Sequence, residues 1–253
     1  MPILHDAPRR RRRRRAAVTA LAACAALALS ALLPQTSAKE AAPPQPAPAT
    51  RPATAPSTAP AAGWRTLFDG KTLAGWESTD FAGHGEPKVE DGNLVIPFGE
   101  ALTGVTYTGG GIPKVNYEVS VEAQRVDGSD FFCALTFPVG ESFASLIVGG
   151  WGGSVVGISS LDDQDAAHNE TTDRMRFEKG RWYRIRLRVQ ADHLTAWIDE
   201  QKVIDVATAG KKVSLRQDIE AAKPFSIATF QTTGAVREVK VRELKADEVG
   251  KGK

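Results

Sequence analysis

Residues 117–123 read YEVSVEA, with apolar and polar positions alternating at period two. That spacing predicts a strand with Tyr117, Val119, Val121 and Ala123 on its buried face. Residues 183–189, YRIRLRV, repeat the pattern with Arg184, Arg186 and Arg188 on the opposite face. The arginines are expected to form a solvated outer face that discourages edge pairing, a ligand-binding stripe being the alternative. Residues 194–199 answer this strand across an Ala191-Asp192 turn, and a second turn over 199–202 leads into 203–206. Further strand-like runs cover 93–97, 130–139, 143–149, 154–160, 225–230 and 236–244, and only 217–222 looks helical. Many short strands with no helical layer predict an all-β domain, either two antiparallel sheets face to face or a barrel. Strands with one apolar face suit the sandwich, in which each sheet buries its inner side.

The first quarter of the 253 residues breaks this pattern. An arginine run at 9–15, an uncharged Ala/Leu-rich stretch at 16–33 and the small pair Ser37-Ala38 make an export signal over residues 1–38. The arginine run alone would also fit nuclear targeting or a nucleic-acid arm, but the apolar segment behind it turns the reading to export. Cleavage near Ala38 is favoured. Lipidation at Cys24, within Leu21-Ala22-Ala23-Cys24, and an uncleaved anchor are the alternatives, and they are the only expected routes to a membrane. The destination is the periplasm, the cell surface or the outside. Residues 39–62 hold seven prolines and no aromatic residue, so they form a disordered linker that spaces the domain at about 3.1 Å per residue. A folded domain over 63–246 and a tail over 247–253 complete the chain. Losing residues 1–38 removes seven arginines and one aspartate, which turns the formal charge from +2 to −4. A mildly acidic domain argues against a nucleic-acid partner. Cys133 is then the remaining cysteine, in FFCAL, where core packing without a disulfide is expected.

The domain opens with LFDGKTLAGW, Leu67 to Trp76, two apolar clusters flanking an Asp69-Gly70 turn. This decapeptide resembles the opening signature of the bacterial 3-keto-disaccharide hydrolase family. Residues 182–204 resemble the same family and, more widely, the concanavalin A-like lectin and glucanase sandwiches. The resemblance extends from Gly63 to about Lys245. It implies a two-sheet antiparallel jelly-roll sandwich and a carbohydrate partner, a 3-keto-glycoside. The implied chemistry is base-catalysed elimination followed by hydration, which needs a base, an enolate stabiliser and an acid. The decapeptide itself reads as architectural, with Leu67, Phe68 and Trp76 plugging one end of the sandwich. The chain departs from the family in having GSDFFC at 128–133 and VVGISSLD at 155–162, where an apolar or hydroxyl residue stands in place of a strand carboxylate. That departure motivates the alternative of a non-catalytic, lectin-like binding module.

The densest chemistry lies between Val148 and Phe177. Trp151 sits between two Gly-Gly pairs, which suits either a sugar-stacking platform or a tryptophan buried by close sheet packing. Asp162, Asp163, Asp165, His168, Asn169, Glu170 and Asp173 follow in one loop. Such carboxylates repel one another unless solvated, paired with Arg174 or Arg176, or holding a divalent cation, for which Asp162, Asp163 and Asp165 are weak candidates. Under the family chemistry, Glu170 or His168 is the candidate base, with Arg174 or a divalent ion stabilising the enolate. Trp151, Gln231, His84 and Asp130 are candidate substrate contacts, and Glu100 could join them. His193 is expected to be exposed. A structural interaction domain and a two-carboxylate glycosidase are weaker readings.

Overall fold

A computed structural model describes residues 63–250. The expected export signal, the expected linker and the end of the expected tail lie outside the described residues. The strands, in chain order, are β1 (Arg65–Thr66), β2 (Trp76–Ser78), β3 (Lys88–Glu90), β4 (Asn93–Ile96), β5 (Leu102–Tyr107), β6 (Tyr117–Gly128), β7 (Cys133–Val139) and β8 (Ser142–Gly150). They continue as β9 (Val155–Ser159), β10 (Asp173–Arg174), β11 (Tyr183–Val189), β12 (His193–Ile198), β13 (Gln201–Ala207), β14 (Ser226–Phe230) and β15 (Thr232–Glu243). One sheet runs β13-β12-β11-β6-β15-β4-β3, with β1 added to β15. The other runs β10-β9-β8-β7-β14-β5-β2. The chain crosses repeatedly between the two, from β5 to β6, from β6 to β7 and from β14 to β15, giving a concanavalin A-like jelly-roll sandwich.

The period-two pattern explains the core. Tyr117, Val119, Val121 and Ala123 of β6 lie beside Tyr183, Ile185, Leu187 and Val189 of β11, all buried. Opposite them stand Leu135 and Phe137 of β7 and Leu146 and Val148 of β8. Each such side chain contributes roughly 1.5–3 kcal/mol when fully buried. The Tyr117 hydroxyl donates to the Pro138 carbonyl at 2.7 Å, which satisfies its one polar atom within this layer. Cys133 is buried and free, and burial raises its thiol pKa far above the ordinary value.

The opening decapeptide ties the two sheets together. Leu67 donates its N–H to Val239 of β15 at 2.8 Å, while Trp76 starts β2 and pairs with Tyr107 of β5. Between them the Trp76 indole donates to the Leu67 carbonyl at 2.8 Å. Gly70 takes a φ of +73°, and Asp69 accepts the N–H groups of Lys71 and Thr72. Those bonds hold the Asp69 carboxyl below its usual pKa.

Two expectations change. The arginine stripe is not simply solvated. Arg186, Arg188 and Arg242 converge on Glu118, whose side chain is 2% exposed, and Arg186 and Arg188 also lie over Trp197. A carboxylate one strand away on the same face supplies the counter-charge. His193 is largely covered, with Nε2 2.6 Å from Asp205. At the start of the tail, Glu248 folds back onto Arg242 at 2.7 Å.

Candidate functional site

Strand directions give the seven-stranded sheet two ends. At the upper end, β6, β8 and β14 finish while β5, β7, β9 and β15 begin. The lower end carries the loop from β9 to β10, the loop after β13 and a short 3-10 turn, Gln217–Ala222.

The outer face of this sheet is a floor of small and hydroxyl side chains. Thr106, Ser226, Thr136, Ser145 and Ser159 form one cross-strand row over five strands. The next outward row is Gly104, Ala228, Ala134, Ile147 and Gly157. This face is roofed rather than open. Phe81, Ala166 and Ala222 pack with the second row as a small satellite core, and partly buried Ile219 joins them. A Cβ placed on Gly157 would lie 2.5 Å from the Ala166 carbonyl oxygen, so glycine is what lets the acidic loop sit this close. Thr136 and Ser145 satisfy each other at 3.0 Å, whereas the buried Ser159 and Ser226 hydroxyls have no partner.

The acidic loop is pinned by Asn169. Its side-chain N–H₂ faces the carbonyls of Ile158, Gln164 and Asp165 at 2.7, 3.1 and 2.8 Å, and its Oδ1 accepts from Thr171. The loop carboxylates do not pair with Arg174 or Arg176, as the sequence reading allowed. Their cations come from the loop after β13: Asp163 pairs with Lys212 and Glu170 with Lys211. Arg216, hydrogen-bonded to Asp218 and close enough to feel Asp165, has its guanidinium pKa raised by both. Asp162, Asp163 and Asp165 do not converge on one point, since Asp162 accepts the Lys212 N–H and Asp165 turns to His168. Among the described residues no three metal-ligating side chains gather at a common point.

His168 stands 2.7 Å from Asp165 through Nδ1, with its side chain 65% exposed. A carboxylate only accepts, so Nδ1 carries the hydrogen, and Nε2 has no hydrogen-bond partner among the described residues. Arg216, Asp163 and Asp218 line a hollow of about 620 Å³ at this lower end, together with Ser160, Ser214, Leu215 and Gln217.

Other candidates gather at the upper end. Trp151 lies in the β8–β9 hairpin with φ +48° and 41% of its surface exposed, which rules out a buried tryptophan. Asp130 reaches the same hairpin by accepting the Gly152 N–H at 2.9 Å. Gln231 has φ +42° and donates to the Glu100 carbonyl at 3.4 Å. His84 sits in the neighbouring 81–85 loop, with Nδ1 2.9 Å from the Gly85 carbonyl. Arg174 lines an upper hollow of about 580 Å³ beside Gly152, Gly153 and Arg176. No hydrogen bond or ion pair among the described residues joins Trp151 or Arg174 to His168 or Glu170.

The sequence reading passed over Arg125, which is buried and lines the upper hollow. Its guanidinium donates to the carbonyls of Asp130, Gly149, Gly153 and Phe177. The signal was present: continuing the period of 117–123 by one step puts Arg125 on the core face. Likewise the basic residues Lys211, Lys212 and Arg216 are opposite in charge to the acidic loop.

Comparison with known proteins adds the following. The family model described as 3-keto-alpha-glucoside-1,2-lyase-like domain matches residues 63–245. No curated protein matches the chain. Among solved structures, the carbohydrate binding module CBM66 from Bacillus subtilis is similar at 11% identity, over 67% of this chain and 96% of that one, with a TM-score of 0.45. SCLam, a non-specific endo-beta-1,3(4)-glucanase from family GH16, is similar at 12% identity, over 74% of this chain and 94% of that one, with a TM-score of 0.46.

Proposed function

Since the chain belongs to the 3-keto-alpha-glucoside-1,2-lyase-like family, we propose that it cleaves glycosides carrying a ketone at C3, with His168 as the base. The observation that carries this reading is the exposed His168 held through Nδ1 by Asp165, a carboxylate whose charge reaches Arg216 on the wall of the lower hollow. A ketone at C3 acidifies the C2–H bond. His168 Nε2 takes that proton and the electron pair passes to the C3 oxygen as an enolate, facing the Arg216 guanidinium. Collapse of the enolate forms the C1–C2 double bond and expels the glycosidic oxygen, to which the imidazolium returns a proton. Water then adds across the double bond. Glu170 suits the base role less, because its carboxylate is already held in an ion pair by Lys211. Arg216 takes the place first considered for Arg174 or a divalent ion.

Incubating the protein with a 3-keto-disaccharide in deuterated water tests the reading. Free sugar with deuterium at C2 is expected, reduced at least a hundredfold in His168→Ala and by less in Asp165→Asn. Absence of both product and C2 deuterium would sink it. Loss of turnover on adding a chelator would reassign the enolate to a metal ion. The second reading, a binding module exported with the same partner class, is favoured by the roofed sheet face; it predicts saturable sugar binding with no turnover.

A further inference from the structure

The upper hollow is set apart by charge. Among the described residues, Arg174 and Arg176 are the arginines whose guanidinium groups have no hydrogen-bond or ion-pair partner, and both are exposed on its wall. Two positions apart in the chain, both line the hollow. Every other described arginine holds a carboxylate, a carbonyl or a hydroxyl. Behind them Arg125 is buried and lines the same hollow, with backbone carbonyls as its hydrogen-bond partners and the Asp130 carboxylate near enough to act on its charge. Nearby carboxylates are engaged elsewhere: Asp130 accepts the N–H groups of Phe131 and Gly152, Asp173 that of Arg174, and Asp127 pairs with Lys179. The volume of about 580 Å³ lies within the range that holds a small ligand. Trp151, in the hairpin whose glycines line the hollow, offers an uncovered indole to a sugar ring.

We propose that this hollow binds an acidic saccharide, its carboxylate or sulfate ester seated between Arg174 and Arg176 and its ring against Trp151. Planar guanidinium groups pair with such anions through two parallel hydrogen bonds. The buried Arg125 adds attraction at no further ordering cost, since four carbonyls already fix it. The sugar ring rests on the carbohydrate reading above; the charge rests on the arginines alone.

Calorimetric titration of the full chain decides it, with four probes: a trigalacturonate, the same trisaccharide with its carboxylates reduced, a sulfated trisaccharide and inorganic sulfate. None carries a 3-keto group, so failure here leaves the cleavage assay untouched. At least one acidic trisaccharide is expected to bind tenfold or more tighter than the reduced one, and to weaken as salt rises. Whichever of the two binds tighter identifies the anionic group. The double variant Arg174→Gln with Arg176→Gln, which removes no internal bond, is expected to erase the preference. Trp151→Ala should weaken the trisaccharide about tenfold without changing the response to sulfate. Equal binding of the reduced trisaccharide, a preference that survives in the double variant, or inorganic sulfate binding as tightly as either acidic sugar would each overturn the proposal.

Discussion

Tyr117 shows how one polar atom is accommodated inside an apolar layer. Its hydroxyl is fully buried and donates to the Pro138 carbonyl, and burial moves its pKa well above the phenolic norm. Tyr117→Phe leaves that carbonyl without its donor and is expected to cost about 1–2 kcal/mol in urea unfolding. Glu248 gives the acid side of the same physics. Its carboxyl is held down to about 2, first by the Arg242 guanidinium and then by the Lys245 N–H. A carboxylate depressed in the fold stabilises it above the unfolded pKa and loses that contribution as pH falls through the folded one. The turn at 245–248 should therefore stay docked through pH 4 and release toward pH 2. A carboxyl-carbon NMR titration of Glu248 with a midpoint near 4.5 instead would contradict this.

At the scale of strands, the eight-stranded sheet is clamped across its outer face. Glu118 of β6 takes Arg186 and Arg188 from one neighbour and Arg242 from the other, so a single carboxylate joins three strands. Removing it strands three partly covered cations together. Glu118→Ala is expected to destabilise by roughly 3–5 kcal/mol in thermal or chemical unfolding, while Glu122→Ala, on a more open ion pair, should cost under about 1 kcal/mol. Gly157→Ala tests the roof of the other sheet. The new methyl meets the Ala166 carbonyl, and a loss of roughly 1–3 kcal/mol is expected, with faster hydrogen exchange confined to residues 162–172.

Over the whole molecule, what was legible follows from period. Residues 117–123 and 183–189 announce themselves because one face is apolar and the other charged. β5 was missed for the opposite reason: in LTGVTY both faces are covered, one by the core and one by Phe81, so no alternation of polarity survives. The decapeptide is architectural, as its apolar spacing indicated, and its bridging of both sheets gives the reason. Candidate residues were harder, because a one-dimensional cluster does not fix direction. Trp151, Arg174, His168 and Glu170 fall within 24 residues of sequence, yet the loop runs along the β9 edge and divides them between two ends. The cations that pair with Glu170 and Asp163, Lys211 and Lys212, come from some forty or more residues later, a distance no local motif spans.

Asn169 heads the tripeptide Asn169-Glu170-Thr171, an N-glycosylation acceptor sequence. In a eukaryotic secretory host the oligosaccharyl transfer would act on the extended chain before the amide is clamped. A glycan would then occupy one of the two hydrogens that the loop needs for the Ile158 and Asp165 carbonyls. Material made that way would carry an unpinned loop, and mutating Asn169 or Thr171 would undo the same clamp by another route. A bacterial producer strain is therefore the choice that keeps this segment intact.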